Sequence, residues 1–271
     1  MEISFGDKFS AALKIYSKLL QMPGRTAFKT WFKPAESTRY NEFAYFLKHL
    51  KSHPIKNAYI LDISSPYAMA YLLTGNGNRV LKTDINSEEK LSIKESNSLS
   101  FAKEDGTALT FTDNTFDAVF SISVIEHIYE GYLDAVKEMV RVTKPGGIIY
   151  ITTPVSAKIT EEWINEDIYS DQHKKTDKIF FQYRFSEKDV NDIINCVPGA
   201  EVFQKHIFWE RNDGDYDRFI DKLKNTGKGS IGFLKNSFLN MFVGSKILNN
   251  SPGTFEQSKS FGNISLILKK K

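Results

Sequence analysis

The sequence predicts an α/β protein: a mostly parallel sheet covered by helices on both faces. Three observations predict it. From residue 57 onward short apolar runs recur, helical segments separate them, and the clearest of those helices ends in a proline and two glycines that lead directly into the next run. Short, continuously apolar runs fit strands buried on both faces, and parallel neighbours need a crossover between them.

Residues 1–52 come first and are helical. Phe9, Leu13, Tyr16 and Leu20 fall at spacings of three and four, as do Phe43, Phe46, Leu47 and Leu50, and Met22-Pro23-Gly24 breaks the pattern between them. The strand-like runs then occupy 58–61, 80–81, a short third strand around 101–103, 118–122, 148–151, 202–209 and 264–268. Between the fourth and fifth, Leu133, Val136 and Val140 form one stripe, with Lys137, Glu138 and Arg141 elsewhere. Lys144-Pro145-Gly146-Gly147 stops that helix, because proline cannot continue it and glycine takes the positive φ of a tight turn. Two stretches, 156–184 and 212–252, do not fit minimal alternation. They are expected to be insertions in a core domain of residues 53–271, with residues 1–52 as a helical cap.

Composition excludes several classes. The chain has 271 residues, 36 Lys and Arg against 33 Asp and Glu, and a single cysteine, Cys196. One cysteine makes no internal disulfide, and no Cys/His set has zinc-site spacing. A net charge of +3, evenly interspersed, does not give the basic stripe of a nucleic-acid binder. No transmembrane segment is expected, since the best apolar stretch, 231–248, is broken by Lys235, Asn236, Asn240 and Lys246. Charges throughout the first 22 residues argue against a signal peptide, so a cytoplasmic location is the expectation.

In an open parallel sheet, ligands bind at the carboxyl ends of the strands near the switch in strand order. Asp62, Asp84 and Asp105 stand at three such ends, and residues 121–127 follow the fourth run. Asp62 and Asp84 lie close to the spacing of about 20 at which a carboxylate meets a ribose. A nicotinamide dehydrogenase would need Gly-x-Gly-x-x-Gly after the first strand, whereas Asp62-Ile63-Ser64-Ser65-Pro66-Tyr67-Ala68 holds no glycine.

Four further pieces follow in order: Glu104-Asp105-Gly106-Thr107-Ala108-Leu109-Thr110-Phe111, Asn114-Thr115-Phe116-Asp117-Ala118-Val119, Ile125-Glu126-His127 and Arg141-Val142-Thr143-Lys144-Pro145-Gly146-Gly147. On them, residues 59–154 resemble the class I S-adenosylmethionine-dependent methyltransferases, in the small-molecule branch similar to the ubiquinone and menaquinone enzymes. The resemblance implies a Rossmann-like seven-stranded sheet and S-adenosyl-L-methionine as cofactor. It implies that Asp84, with Ile85 beside it, holds the ribose, and that Asp105 meets the adenine amino group with Gly106 or Thr107 against the ring. Asp62 would orient the cofactor loop and the methionine ammonium, and Ser121 would line the methionine end through its backbone. Ser64, Pro66 and Ala68 replace the family's glycines. Ser65 suits a helix cap before Pro66, and the hydroxyl of Ser64 or Ser65 would then replace a lost backbone donor. The alternative is a protein that keeps the sheet, has lost the cofactor, and serves as a binding or partner subunit.

A hydroxyl acceptor benefits from a base. His127 is the first candidate, with a packed role for the same ring equally open; His173, beside Asp171 and Gln172, is the second. Ser121-Ile122-Ser123-Val124 stands where nucleobase methyltransferases carry Asn/Asp-Pro-Pro-Tyr, which disfavours a nucleobase and leaves a small polar molecule methylated without a metal, on oxygen first and on nitrogen or carbon as the alternatives. The acceptor is expected among residues outside the shared core: Trp31, Phe32, Arg39, Tyr40 and Glu42 in the cap, and Trp163, Tyr169, His173, Tyr183 and Arg184 in the first insertion. Aromatic rings of the cap offer a cation–π shield for a sulfonium. Arg39 and Arg184 are candidate grips for a phosphate or carboxylate, as on a nucleotide-activated glycan precursor. In the second insertion Leu234, Phe238, Met241, Phe242 and Leu248 recur at helical spacing. Packing on the protein's own core is the first expectation there, before a homodimer contact or membrane-surface attachment.

Overall fold

Strand residues alternate between two apolar clusters, one on each face of a single central sheet. Ile60, Val80, Ala118 and Phe120 join one cluster; Leu61, Leu81 and Val119 join the other. The runs are therefore apolar at every position rather than every second one, because both faces are covered. The structure is a computed structural model describing residues 1–165, 173–175, 177–227, 229–257 and 259–271.

In chain order the elements are α1 (Phe5–Tyr16), α2 (Gly24–Phe32), α3 (Arg39–Ser52), β1 (Tyr59–Ile63), α4 (Tyr67–Leu73), β2 (Arg79–Asp84), β3 (Leu99–Lys103), β4 (Phe116–Ile122) and α5 (Tyr132–Val142). They continue with β5 (Thr143–Val155), β6 (Thr160–Ile164), β7 (Lys174–Lys175), β8 (Lys178–Arg184), α6 (Glu187–Asn195), β9 (Ala200–Trp209), α7 (Asp215–Lys224), α8 (Gly229–Phe242) and β10 (Gly262–Lys270). Seven strands form the central sheet in the order β3-β2-β1-β4-β5-β10-β9. Every pair from β3 to β5 is parallel, and β10 runs antiparallel to both β5 and β9. Strand order reverses between β1 and β4, which opens a crevice at their carboxyl ends.

The Lys144–Gly147 stop forms a bulge in the β4–β5 register rather than a turn ahead of the strand, since Thr143 already pairs with Phe116. Gly146 has φ +79°, and a Cβ on Gly147 would lie 2.7 Å from the Asp117 carbonyl. A side chain at 146 would be strained by that φ, and one at 147 would displace the backbone.

Helix α1 of the cap and helix α8 of the second insertion present the face opposite to the one their spacing suggests. In α1 the buried positions are Lys8, Ala11, Ala12 and Ile15, whereas Phe9 and Leu13 point outward. In α8 they are Gly232, Ser237 and Asn240, leaving Leu234, Phe238 and Phe242 exposed, so that stripe does not pack on the core. Close approach explains both. The Lys8 ammonium donates to the Ser245 carbonyl, the Ser37 amide donates to Asn240, and a Cβ on Gly244 would sit 3.0 Å from Ser37 Cα. Larger inward side chains would push these backbones apart. Leu248 is buried beyond the helix end.

A buried carboxylate ties the cap to the sheet at the crevice, while the Tyr45 hydroxyl of α3 bonds Gln204 and His206 of β9. Glu42 of α3 is 1% exposed, and its Oε1 accepts from Ser123 Oγ at 2.6 Å, Thr152 Oγ1 at 2.7 Å and Asn263 Nδ2 at 3.0 Å. Its Oε2 accepts from Arg39 at 3.2 Å. Three of those donors stand at or just beyond the ends of β4, β5 and β10 at the crevice. Glu42→Ala would leave them unpaired in the interior, and a urea titration should show a loss of about 3 kcal/mol. A loss below about 1 kcal/mol would mean that the network contributes little.

Candidate functional site

A cleft of about 1040 Å³ lies over the carboxyl ends of β1, β2, β3 and β4, beneath the segment joining α2 to α3. Ser64, Ser65, Asp84, Ile85, Asp105, Gly106 and Thr107 line one part of it, and Arg39, His127 and His173 line another. The strand-end residues and both histidines therefore share one cavity.

The glycine-free loop after β1 is shaped by side chains. Ser64 takes the left-handed conformation, φ +49°, that glycine adopts without cost, a penalty of roughly 1 kcal/mol for serine. Its amide donates to the Thr83 carbonyl at 2.8 Å. The Ser65 hydroxyl does not cap α4 as expected; it accepts from the Ile122 amide at 3.0 Å and ties the loop to β4. From below, the buried Lys82 ammonium donates to the Ser65 carbonyl and stands 3.7 Å from the Asp62 carboxylate.

Asp62 does not line the cleft. It is fully buried beneath the loop, and both carboxylate oxygens lack a hydrogen bond. Burial pushes its pKa up, and Lys82 pulls it back. Ser121 is also buried in β4 rather than at the surface of the cleft. Asp84 accepts from the Asn86 amide through Oδ1 at 2.8 Å, and Asp105 accepts from the Thr107 amide and hydroxyl through Oδ1 at 2.9 and 2.7 Å. Each therefore turns one oxygen to its own turn, and Oδ2 makes no hydrogen bond among the described residues. A Cβ on Gly106 would meet Ile63 at 3.2 Å, so this wall stays flat. Carboxylate oxygens above a flat wall fit the hydroxyls and the amino group of an adenosyl ligand, while Asp62 below is already paired with Lys82.

The other half of the cleft is built on the turn after β4 and on the first insertion, whose described residues form an antiparallel sheet in the order β6-β8-β7. His127 Nδ1 lies 2.6 Å from the Phe181 carbonyl, which can only accept, so the ring proton sits on Nδ1 and Nε2 carries the lone pair. Burial lowers the His127 pKa to about 4, against the opposing pull of that carbonyl. Glu126 Oε1 is 3.9 Å from His127 Nε2, and Oε2 is buried without a hydrogen bond. Burial raises the Glu126 pKa to about 8; Arg39 opposes the shift and Glu42 adds to it. His173 lies against the Tyr129 ring, with centroids 4.7 Å apart.

Three expected substrate residues stand elsewhere. Tyr40 is buried under the cap. Tyr183 packs among Tyr129, Phe180 and Phe185 in the apolar layer behind the cleft. Arg184 pairs with Glu162 and with Asp217 at 2.7 Å, and lies over the Tyr216 and Phe261 rings. Trp31 is exposed against Tyr16, and Phe32 packs on Phe28 and Phe233, so neither ring shields the cleft. Tyr169, Asp171 and Gln172 lie outside the described residues. Lys33, Glu36, Tyr67, Glu89 and Tyr129 line the cleft without having been singled out in the sequence. Tyr67 alone had a usable signal, because it sits inside the loop where the family glycines are missing. Among the described residues no group of three or more His, Cys, Asp or Glu is arranged to hold a metal ion.

Glu126 gives a pH signature. With a folded pKa of about 8, above its unfolded value, the folded state binds the extra proton, so this contribution to stability is full at low pH and lost as pH rises to about 8. Glu126→Gln should remove that loss: between about pH 5 and 8, wild type should lose melting temperature relative to the variant. Parallel curves for the two proteins would contradict a buried, neutral Glu126.

Comparison with known proteins agrees with this geometry. Residues 47–151 match the family model described as a methyltransferase domain. A 114-residue stretch is 35% identical to the sterol 24-C-methyltransferase of Aspergillus fumigatus, covering 42% of this chain and 27% of that one. A 65-residue stretch is 45% identical to the demethylmenaquinone methyltransferase of Bacteroides fragilis, covering 22% of this chain and 25% of that one. The chain thus spans about a quarter of the length of both. The crystal structure of MccD protein shares the fold, with a TM-score of 0.53 and 16% identity over 84% of this chain and 96% of that chain. Residues 47–151, with this strand order and these strand-end carboxylates, thus match a methyltransferase domain, and the chain is similar there to the class I S-adenosylmethionine-dependent methyltransferases.

Proposed function

We propose that the cleft binds S-adenosyl-L-methionine and that the protein transfers its methyl group to a hydroxyl oxygen of a small polar molecule. The observation that carries this proposal is the pairing of Asp84 and Asp105 with His127 in one cavity, the imidazole proton fixed on Nδ1 by the Phe181 carbonyl. Asp84 holds the ribose hydroxyls, Asp105 takes the adenine amino group, and the buried Asp62–Lys82 pair supports the Ser64–Ser65 loop from below. When bound, the cofactor supplies an electrophilic methyl carbon on a sulfonium. The protein's share is alignment and exclusion of water, with the cap and the first insertion closing over the cleft. His127 receives the acceptor's proton at Nε2, and His173 and Arg39 orient the acceptor.

A neutral acceptor fits better than a phosphorylated glycan precursor. Arg39 already faces Glu42, and Arg184 is held by two carboxylates away from the cleft. The residues of 1–52 and 156–184 that reach the cleft would set acceptor choice.

Calorimetry tests the cofactor site. Wild type should bind S-adenosylmethionine and S-adenosylhomocysteine, and Asp84→Ala should weaken both by about tenfold or more through loss of two charge-assisted hydrogen bonds. No binding at millimolar ligand would refute the proposal in favour of a partner protein without cofactor.

Methyl transfer to a panel of hydroxylated small molecules tests the base. His127→Ala should lower turnover by about a hundredfold, and wild-type activity should hold on the acid side down to about pH 5, because the His127 pKa lies below its ordinary value. Unchanged turnover in the variant would remove His127 from the chemistry.

A further inference from the structure

We propose that the outer faces of α1, α2 and α8 dock the protein on an anionic membrane surface. This does not rest on methyl transfer; it rests on one exposed patch and its charge. Phe9 and Leu13 of α1, Trp31 of α2, and Leu234, Phe238 and Phe242 of α8 are each between 46% and 63% exposed. The three helices are contiguous. Lys246, just past α8, stands over the Phe5 ring of α1, the Tyr16 ring of α1 packs on Trp31, and Phe32 of α2 packs on Phe233 of α8. Single exposed apolar residues are ordinary in soluble proteins, whereas a continuous patch of large ones marks an interaction surface.

Charge selects the occupant. Residues 8–35 contain no Asp or Glu, and neither do residues 222–255, although acidic and basic residues are interspersed along the rest of the chain. Lys14, Arg25, Lys29, Lys235 and Lys246 are all exposed on these segments. A second copy would bring these cations against one another, whereas an anionic bilayer offers both the apolar layer and the countercharge. The Lys8–Ser245 and Ser37–Asn240 hydrogen bonds fix the orientation of α1 and α8, so the apolar faces cannot turn inward without disturbing them. Among the described residues no helix is long and apolar enough to cross a membrane, which makes the attachment superficial.

Flotation of the full chain with vesicles decides. It should rise with vesicles of phosphatidylcholine containing about a third phosphatidylglycerol and stay behind with phosphatidylcholine alone. Lys29→Glu/Lys235→Glu should weaken binding by more than about tenfold, and Leu234→Ser/Phe238→Ser should abolish it, with unchanged melting curves because all four side chains are exposed. Two results would overturn the proposal: no flotation of wild type on anionic vesicles, or flotation that neither double variant alters. A solution dimer that Leu234→Ser/Phe238→Ser dissociates, without vesicle binding, would assign the patch to a second copy and also overturn it.

Discussion

One buried carboxylate ties the cap to the sheet at the crevice. Glu42 lies in the first turn of α3, directly after Asn41, and taking its charge out of water is tolerated only because several donors converge on it. Those donors come from the segment after β4, from β5, from β10 and from α3 itself. The cap therefore cannot slide over the sheet without breaking several charge-assisted hydrogen bonds at once. Ser123, one of the donors, has φ +49° and begins the turn that delivers Glu126 and His127 to the cleft. The roof of the cleft and its base are consequently fixed by the same atom.

The loop after β1 shows a different way of making a cofactor turn. Glycine provides such a turn by conformational freedom, and here serine provides it under constraint. Ser64 bears a left-handed backbone, Ser65 is bonded to β4, and Lys82 supports the loop from inside the sheet. A lysine in the interior of a central strand is unusual. It is tolerated because Asp62 lies beside it and the Ser65 carbonyl accepts from it.

Much of the fold was legible in the sequence because the signals were local. Both faces of the sheet are covered, so each strand appears as an uninterrupted apolar run, and Lys144-Pro145-Gly146-Gly147 marks the end of α5. Strand-end carboxylates could be found by counting from those runs. What escaped depends on contacts between distant segments. Arg184 resembled an anion grip until Glu162 and Asp217 were seen to hold it. Helical spacing showed that α1 and α8 have apolar faces, but not which way they turn. That is decided by the approach of Gly244 to Ser37 and by the Lys8–Ser245 and Ser37–Asn240 hydrogen bonds rather than by hydropathy. Glu42 was expected at the acceptor from its place in the cap, and no motif showed that Ser123, Thr152 and Asn263 would donate to it instead.

The Phe181 carbonyl, supplied by β8 of the inserted sheet, sets which imidazole nitrogen of His127 keeps the proton. The segment free to diverge with the acceptor is thus also the segment that writes the tautomer of the proposed base. A lineage that reshapes this insertion for a new molecule must preserve one main-chain oxygen, whatever side chain stands there. The side chain at 181 can vary without disturbing that oxygen, whereas a one-residue shift in β8 would change both the acceptor wall and the direction of proton flow.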